Sequence, residues 1–152
     1  MNKVEVKKPA GYEDDFALWS AEQAALIRAG RFDRIDVENV AEEIESLGRS
    51  DKHEILSRMA VILLHLLKWQ YQPSARSPSW QASIVTNRDA IAVLIEQSPS
   101  LQSYPDEVIK RAYKKAPRLA ALETGLRETA FPAECPYSAD EVLDDDFWPE
   151  AA

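Results

Sequence analysis

Apolar residues recur at every third or fourth position from about Tyr12 to Gly125, and no stretch alternates convincingly between apolar and polar. That period predicts helices through most of the chain. The first helix is expected over about 13–29, with Tyr12, Phe16, Trp19, Gln23, Leu26 and Ile27 on one side, acids in its first turn and Gly30 as a left-handed stop. Asp36 is a good N-cap for the next helix, whose stripe is Val37, Val40, Ala41, Ile44 and Leu47. Gly48 permits a helix end with Ser50 capping a new one, or a single rod from Asp36 to Tyr71 with a glycine inside it; a kink there is the expectation.

Beyond Gly48, Ile55, Met59, Ile62, Leu63 and Leu66 form the main stripe, while Val61, Leu64 and Leu67 make other faces apolar, as suits the central helix of a bundle. Gln72-Pro73 breaks it, and Ser77-Pro78 restarts a helix that reaches Gln97 before Ser98-Pro99. A fourth long segment, about 105–124, contains Pro117 and must kink or split there. After Gly125 the chain turns to aromatics, prolines and acids, with Ser138 and Glu141 spaced as a capping box on one short helix. Phe131, Tyr137, Phe147 and Trp148 predict a strap pinned to the bundle, since a purely solvating acidic tail has no use for them. The predicted fold is all-α, a single-domain bundle of about four to five main helices over 12–152, strapped by 130–152, with 1–11 a flexible arm.

Composition agrees with one compact domain: 152 residues, of which 45% are hydrophobic and 29% charged. The net charge of −8 is unevenly spread. Glu134, Asp140, Glu141, Asp144, Asp145, Asp146 and Glu150 carry seven of the negative charges with no base among them, so the body before residue 134 is close to balance. Acidity argues against non-specific nucleic-acid binding, which runs on neutralising phosphate; a detachable acidic tail weakens that argument. Cys135 is the sole cysteine, which excludes an intrachain disulfide and a cysteine-based zinc site and fits a reducing compartment. Residues 1–15 lack an apolar signal core, and the longest apolar run, 59–64, is far below the ~20 residues of a membrane span. The expectation is a cytoplasmic protein without membrane association.

Chemistry-bearing residues gather around the end of the central helix: His65, Trp69, Tyr71, Gln72, Arg76 and Trp80. Arg58, His65 and Trp69 fall within about 40° of one another at 100° per residue. A ligand stacked on Trp69 or Trp80, with Arg76 and the free N–H groups after Pro78 as an anion site, is the functional alternative; aromatic plugs and a satisfied histidine are the structural one. Arg88 sits among Trp80, Ile84, Ile91 and Ile95 on one stripe, so its charge is expected to be paired, with a helix acid such as Glu45 the leading choice and an anionic ligand the other.

Glu38, Glu42 and Glu45 share a helix side, but a carboxylate-bridged metal would also need Glu-x-x-His pairs, and Ser50 and Ile62 precede His53 and His65 by three. They are expected to form a solvated acidic face, with no metal and no cofactor. Lys110, Arg111, Lys114, Lys115 and Arg118 place five bases in nine residues, expected to be neutralised within the chain by the tail or the Glu38 face, with nucleic acid an unlikely partner. Neither a nucleophile elbow nor a phosphate-cradling glycine loop occurs.

The segments EDDFALWSAEQAALIRAGRFDRIDVENVAEEIESLGRS, LLHLLKWQYQP with Arg76-Ser-Pro-Ser-Trp80, ETGL and FPAECPYSADEVLDDDFWP resemble the bacterial family catalogued as domain of unknown function 29, from about Tyr12 to Pro149. The resemblance implies a small all-helical protein and brings no activity, cofactor or catalytic residue. Its motif positions, His65, Trp69, Tyr71, Gln72, Pro73 and Trp80, coincide with the cluster above, and a family motif can serve folding as readily as a site. The expected role is a non-enzymatic interaction module that presents acidic surface, through the Glu38 face or the tail, to another protein or to a second copy. The alternative is a small-ligand protein or enzyme using His65, Trp69, Tyr71, Arg76, Trp80 and Arg88.

Overall fold

The computed structural model describes residues 10–152, and within them the regular elements are all helical: α1 (Phe16–Arg28), α2 (Val37–Tyr71), α3 (Pro78–Gln97), α4 (Tyr104–Tyr113), α5 (Ala116–Thr124) and α6 (Ala139–Leu143). Most of the arm expected over 1–11 lies outside the described residues. The described residues form two compact units divided between Arg49 and Ser50, with α2 contributing to both.

In the first unit, α1 starts three residues later than the apolar pattern predicts, because Asp15 takes the N-cap and accepts the Leu18 N–H at 3.0 Å. It ends where expected: Gly30 at φ 68° lets its N–H reach Ile27 O and the Arg31 N–H reach Leu26 O, the paired bonds of a Schellman stop. Asp36 ties the returning helix to α1. Its backbone N–H donates to Gln23 Oε1 at 2.7 Å, while its carboxylate accepts the Trp19 indole N–H at 3.2 Å and the Asn39 amide at 2.8 Å. The hydrogen bonds from Asn39 and, further down, Trp19 hold the Asp36 carboxyl below its ordinary range. A depressed acid stabilises the fold above the unfolded pKa of roughly 4, and the contribution is lost as pH falls through the folded value. Asp36→Ala is therefore expected to lower the denaturant midpoint at neutral pH, and by less on acidification, in titrations at several pH values. A cost that does not change with pH would contradict the assignment.

Gly48 lies inside α2 without a positive φ, so of the two readings the left-handed stop with a new helix capped by Ser50 gives way to a glycine within one helix. A Cβ built there meets nothing within 4 Å, so the glycine contributes only backbone entropy to the unfolded state. Gly48→Ala is expected to stabilise by about 0.5–1 kcal/mol, readable as a higher denaturation midpoint; destabilisation would contradict a continuous helix.

The second unit is built on the far end of α2. Ile55, Met59, Ile62, Leu63, Leu66 and Leu67 are completely buried there, with Ile84 and Ile91 of α3 and Val108, Ala112 and Ala120 of α4 and α5 in the same core. Ser77 caps α3 with Pro78 in its first turn, as the sequence predicts. The fourth segment splits: α4 closes at Tyr113, and Pro117 sits in the first turn of α5, where its missing N–H costs nothing.

The strap completes this core. Phe131, Tyr137 and Val142 are buried, the Tyr113 hydroxyl donates to Pro132 O at 2.6 Å, and the Tyr137 hydroxyl donates to Gln70 Oε1 at 2.6 Å. Burial pushes both phenols above their ordinary range. Ser138 and Glu141 form the predicted capping box on α6.

Candidate functional site

The end of α2 leaves carbonyls without helical partners, and the neighbouring residues supply donors one by one. The Gln72 N–H serves Lys68 O at 2.9 Å, Arg76 Nε serves Trp69 O at 2.8 Å, and the Ala152 N–H serves Gln70 O at 3.0 Å. Arg76 also lies over the Trp69 ring, 4.7 Å from its centroid. Trp69 meets Trp148 of the strap at 4.8 Å, and Trp148 in turn meets the Arg88 guanidinium at 5.3 Å. Trp69, Arg76 and Arg88 are thus drawn into one stack, with Trp148 as its centre.

The other cluster residues go elsewhere. His65 Nδ1 donates to Val61 O at 2.8 Å, the preceding turn of its own helix. Tyr71 packs edge-on against Phe131 at 5.3 Å, and Trp80 covers the ammonium of Lys68 at 4.4 Å. Gln72 Nε2 donates to Thr124 O at 3.1 Å, at the end of α5. Lys68 is buried and pairs with Glu123 at 3.0 Å. Sequence reasoning passed over Lys68, and it placed Trp148 in the strap without joining it to Trp69 and Arg88. The signal for Lys68 was present, since a charge on a helix apolar all round must be buried and paired.

Arg88 is only 2% exposed, and its partner corrects the expected ion pair with Glu45. Nε donates to Val142 O at 2.8 Å, and Nη2 donates to Phe147 O at 3.0 Å and more weakly to Glu141 O at 3.5 Å. Glu141 and Val142 belong to the last turn of α6, at the negative end of the helix dipole, where the Asp144 N–H reaches Glu141 O at 3.3 Å and Arg88 serves Val142 O. The guanidinium therefore caps a helix terminus. Desolvation lowers its pKa, opposed by the charges of Asp145 and Asp144.

A hollow of about 560 Å³ adjoins Arg88, walled mainly by Ile91, Ile95, Pro99 and Leu143, with Glu96 and Gln102 at its polar side. His65, Trp69, Arg76 and Trp80 are not among its walls. Cys135 borders another hollow, beside Lys110 and Lys114, but its thiol donates to Tyr137 O at 3.3 Å and burial raises its pKa. Such a thiol is a poor nucleophile. Among the described residues, no group of three or more His, Cys, Asp or Glu is placed to hold a metal ion, and no helix is long and apolar enough to cross a membrane.

The first unit holds a different kind of surface. Trp19, Ala24 and Ile27 of α1 and Val40, Ile44 and Leu47 of α2 line an almost wholly apolar groove of about 430 Å³, with Gln23 and Glu43 at its polar points. The apolar stripes expected to face a core are here open to water: Ile44 is 64% exposed and Leu47 70%. Seven of the thirteen exposed large hydrophobic residues, Phe16, Leu18, Ile27, Phe32, Val37, Ile44 and Leu47, belong to this unit, which has under a third of the described residues. Glu43 at the groove's edge accepts the Tyr12 hydroxyl, which this hydrogen bond and the Glu43 charge push up to about 12. Glu42 and Glu45 pair with Arg49 at 2.6 and 3.8 Å.

Helices alone, a core closed by an aromatic strap and an open apolar groove on a helical hairpin define an all-α protein whose buried polar groups serve mainly its own helix ends. The family model for Domain of unknown function DUF29 matches residues 12–148, and the chain belongs to that family. No curated protein and no solved structure matches it.

Proposed function

We propose that this chain is a protein–protein interaction module and that the groove between α1 and α2 is its docking surface. The observation that carries the reading is the open apolar wall of Ile27, Ile44 and Leu47 beside Trp19. Apolar side chains gathered in one groove are a costly surface to leave in water, whereas scattered ones are ordinary. The acidic presentation expected of the Glu38 face takes a more specific form: residues 10–49 hold ten acids against four arginines, so the groove sits in a negative field. The role is one of binding, with no chemistry assigned to it.

The test is co-purification from the cells of origin, comparing the native chain with Ile44→Asp/Leu47→Asp. Both positions are exposed, so the variant is expected to fold and to lose a stoichiometric protein that the native chain retains. Equal retention by both would contradict the groove as the docking surface.

A second reading, a small carboxylate or phosphate ligand beside Arg88, draws on one observation: Arg88 Nη1 is buried without a hydrogen-bond partner next to the 560 Å³ hollow. Glu96 in the same wall opposes an anion, and the three carbonyls already occupy the rest of the guanidinium. This reading ranks second.

A further inference from the structure

We infer that the occupant of the groove is a second copy of this chain, which inserts the leucine ridge of its α5 between α1 and α2. The inference rests on the docking role proposed for the groove and names its partner.

The ridge is legible in the helix geometry. At 100° per residue Lys115, Arg118, Leu119 and Leu122 fall within about 100° of one another, so two leucines and two bases share a face. That face is open: Leu122 is 74% exposed and Leu119 43%, and both bases are exposed. Lys110, Arg111 and Lys114 extend the positive charge along the neighbouring helix. The intramolecular neutralisation expected for these five bases is not what the structure has: none lies within ion-pair distance of a carboxylate among the described residues. The acids that flank them in sequence are engaged elsewhere: Glu107 accepts the Ser103 hydroxyl at 3.1 Å, and Glu123 is held by Lys68.

The groove supplies the complement. Its apolar wall matches a leucine ridge, and its hairpin is acidic, with Arg31 and Arg49, two of the four arginines, already paired with Asp33, Glu42 and Glu45. Pairing groove with groove would instead bring two acidic hairpins together, so the symmetric arrangement is disfavoured and the basic ridge is the better fit. Because ridge and groove are different surfaces, the contact is heterologous: copies add head to tail, closing into a ring or growing as an open chain. A short helix in a shallow groove buries less than a standard interface, so the association is weak, concentration-dependent and sensitive to salt.

Light scattering on the full chain over a concentration series tests this, at low and high salt, with two variants: Ile44→Asp/Leu47→Asp in the groove and Leu119→Asp/Leu122→Asp on the ridge. Circular dichroism verifies that both remain helical. The native chain is expected to gain mass with concentration and to lose it in salt, and each variant alone is expected to stay monomeric. Their equimolar mixture is expected to form dimers and nothing larger, because it has one intact groove facing one intact ridge. A native chain that is monomeric throughout, or a mixture that stays monomeric while the native chain associates, overturns the inference. If the native chain is monomeric yet the groove variant loses a different protein in the co-purification, self-association falls and the docking role stands.

Discussion

Replacing Arg88 with methionine is expected to destabilise the chain by about 2–5 kcal/mol, because it leaves the buried carbonyl of Val142 and the half-buried carbonyl of Phe147 without a donor, while Glu141 O keeps the Asp144 N–H. Each unmade bond costs on the order of 1–3 kcal/mol, and the two are not additive, since the strap can partly move out to water. The readable consequences are a lower denaturant midpoint and faster proteolytic nicking after residue 138. Arg88→Lys keeps the charge but loses the planar fork that serves three acceptors at once, so it is expected to recover only part of the loss. A loss below about 1 kcal/mol for Arg88→Met would show that the guanidinium does not clamp the strap.

Removing residues 130–152 should have a larger effect still. The deletion takes away Phe131, Tyr137, Val142, Trp148 and Pro149, and strips Gln70, Tyr113 and Arg88 of their partners. At about 1.5–3 kcal/mol for each large apolar side chain, the loss rivals the roughly 5–15 kcal/mol that separates a folded domain from its unfolded ensemble. The truncated chain is expected to lose cooperative thermal unfolding or to melt far lower. An unchanged thermal midpoint would mean that the strap is an appendage, and its aromatic contacts would need another explanation.

Both expectations rest on features that were unequally legible in the sequence. Local signals read well. Gly30 as a left-handed stop, Asp36 as a cap, Ser77-Pro78 as a helix start and the Ser138–Glu141 capping box are all realised, because each acts within a few residues. The core stripe of α2 was equally plain, since its period needs no knowledge of its neighbours. Gly48 left two readings open because glycine at a helix end and glycine within a helix differ only in φ, which composition does not reveal.

Long-range partners were the harder part. That Arg88 must be satisfied followed from its stripe, but a carboxylate was expected where backbone carbonyls 53 to 59 residues away do the work. Every residue has such a carbonyl, so no sequence pattern marks the ones left over at the end of α6. The candidate cluster was legible as a neighbourhood, but its partners were not: Trp69 and Arg76 serve a helix end and a stack, while His65 turns back on its own helix. The groove was hidden by the assumption that an amphipathic stripe faces a core. Phe16, Ile27, Ile44 and Leu47 have the right period for burial, and only the fold shows them open to water.

The central claim is that this open face exists to be covered by protein. Native mass spectrometry of the untagged chain, gently purified from the cells of origin, tests it most directly. The account predicts a homo-oligomer or a stoichiometric protein complex that Ile44→Asp/Leu47→Asp reduces to a monomer. A bare monomer, or a monomer retaining only a small molecule, would contradict it and turn attention to the hollow beside Arg88.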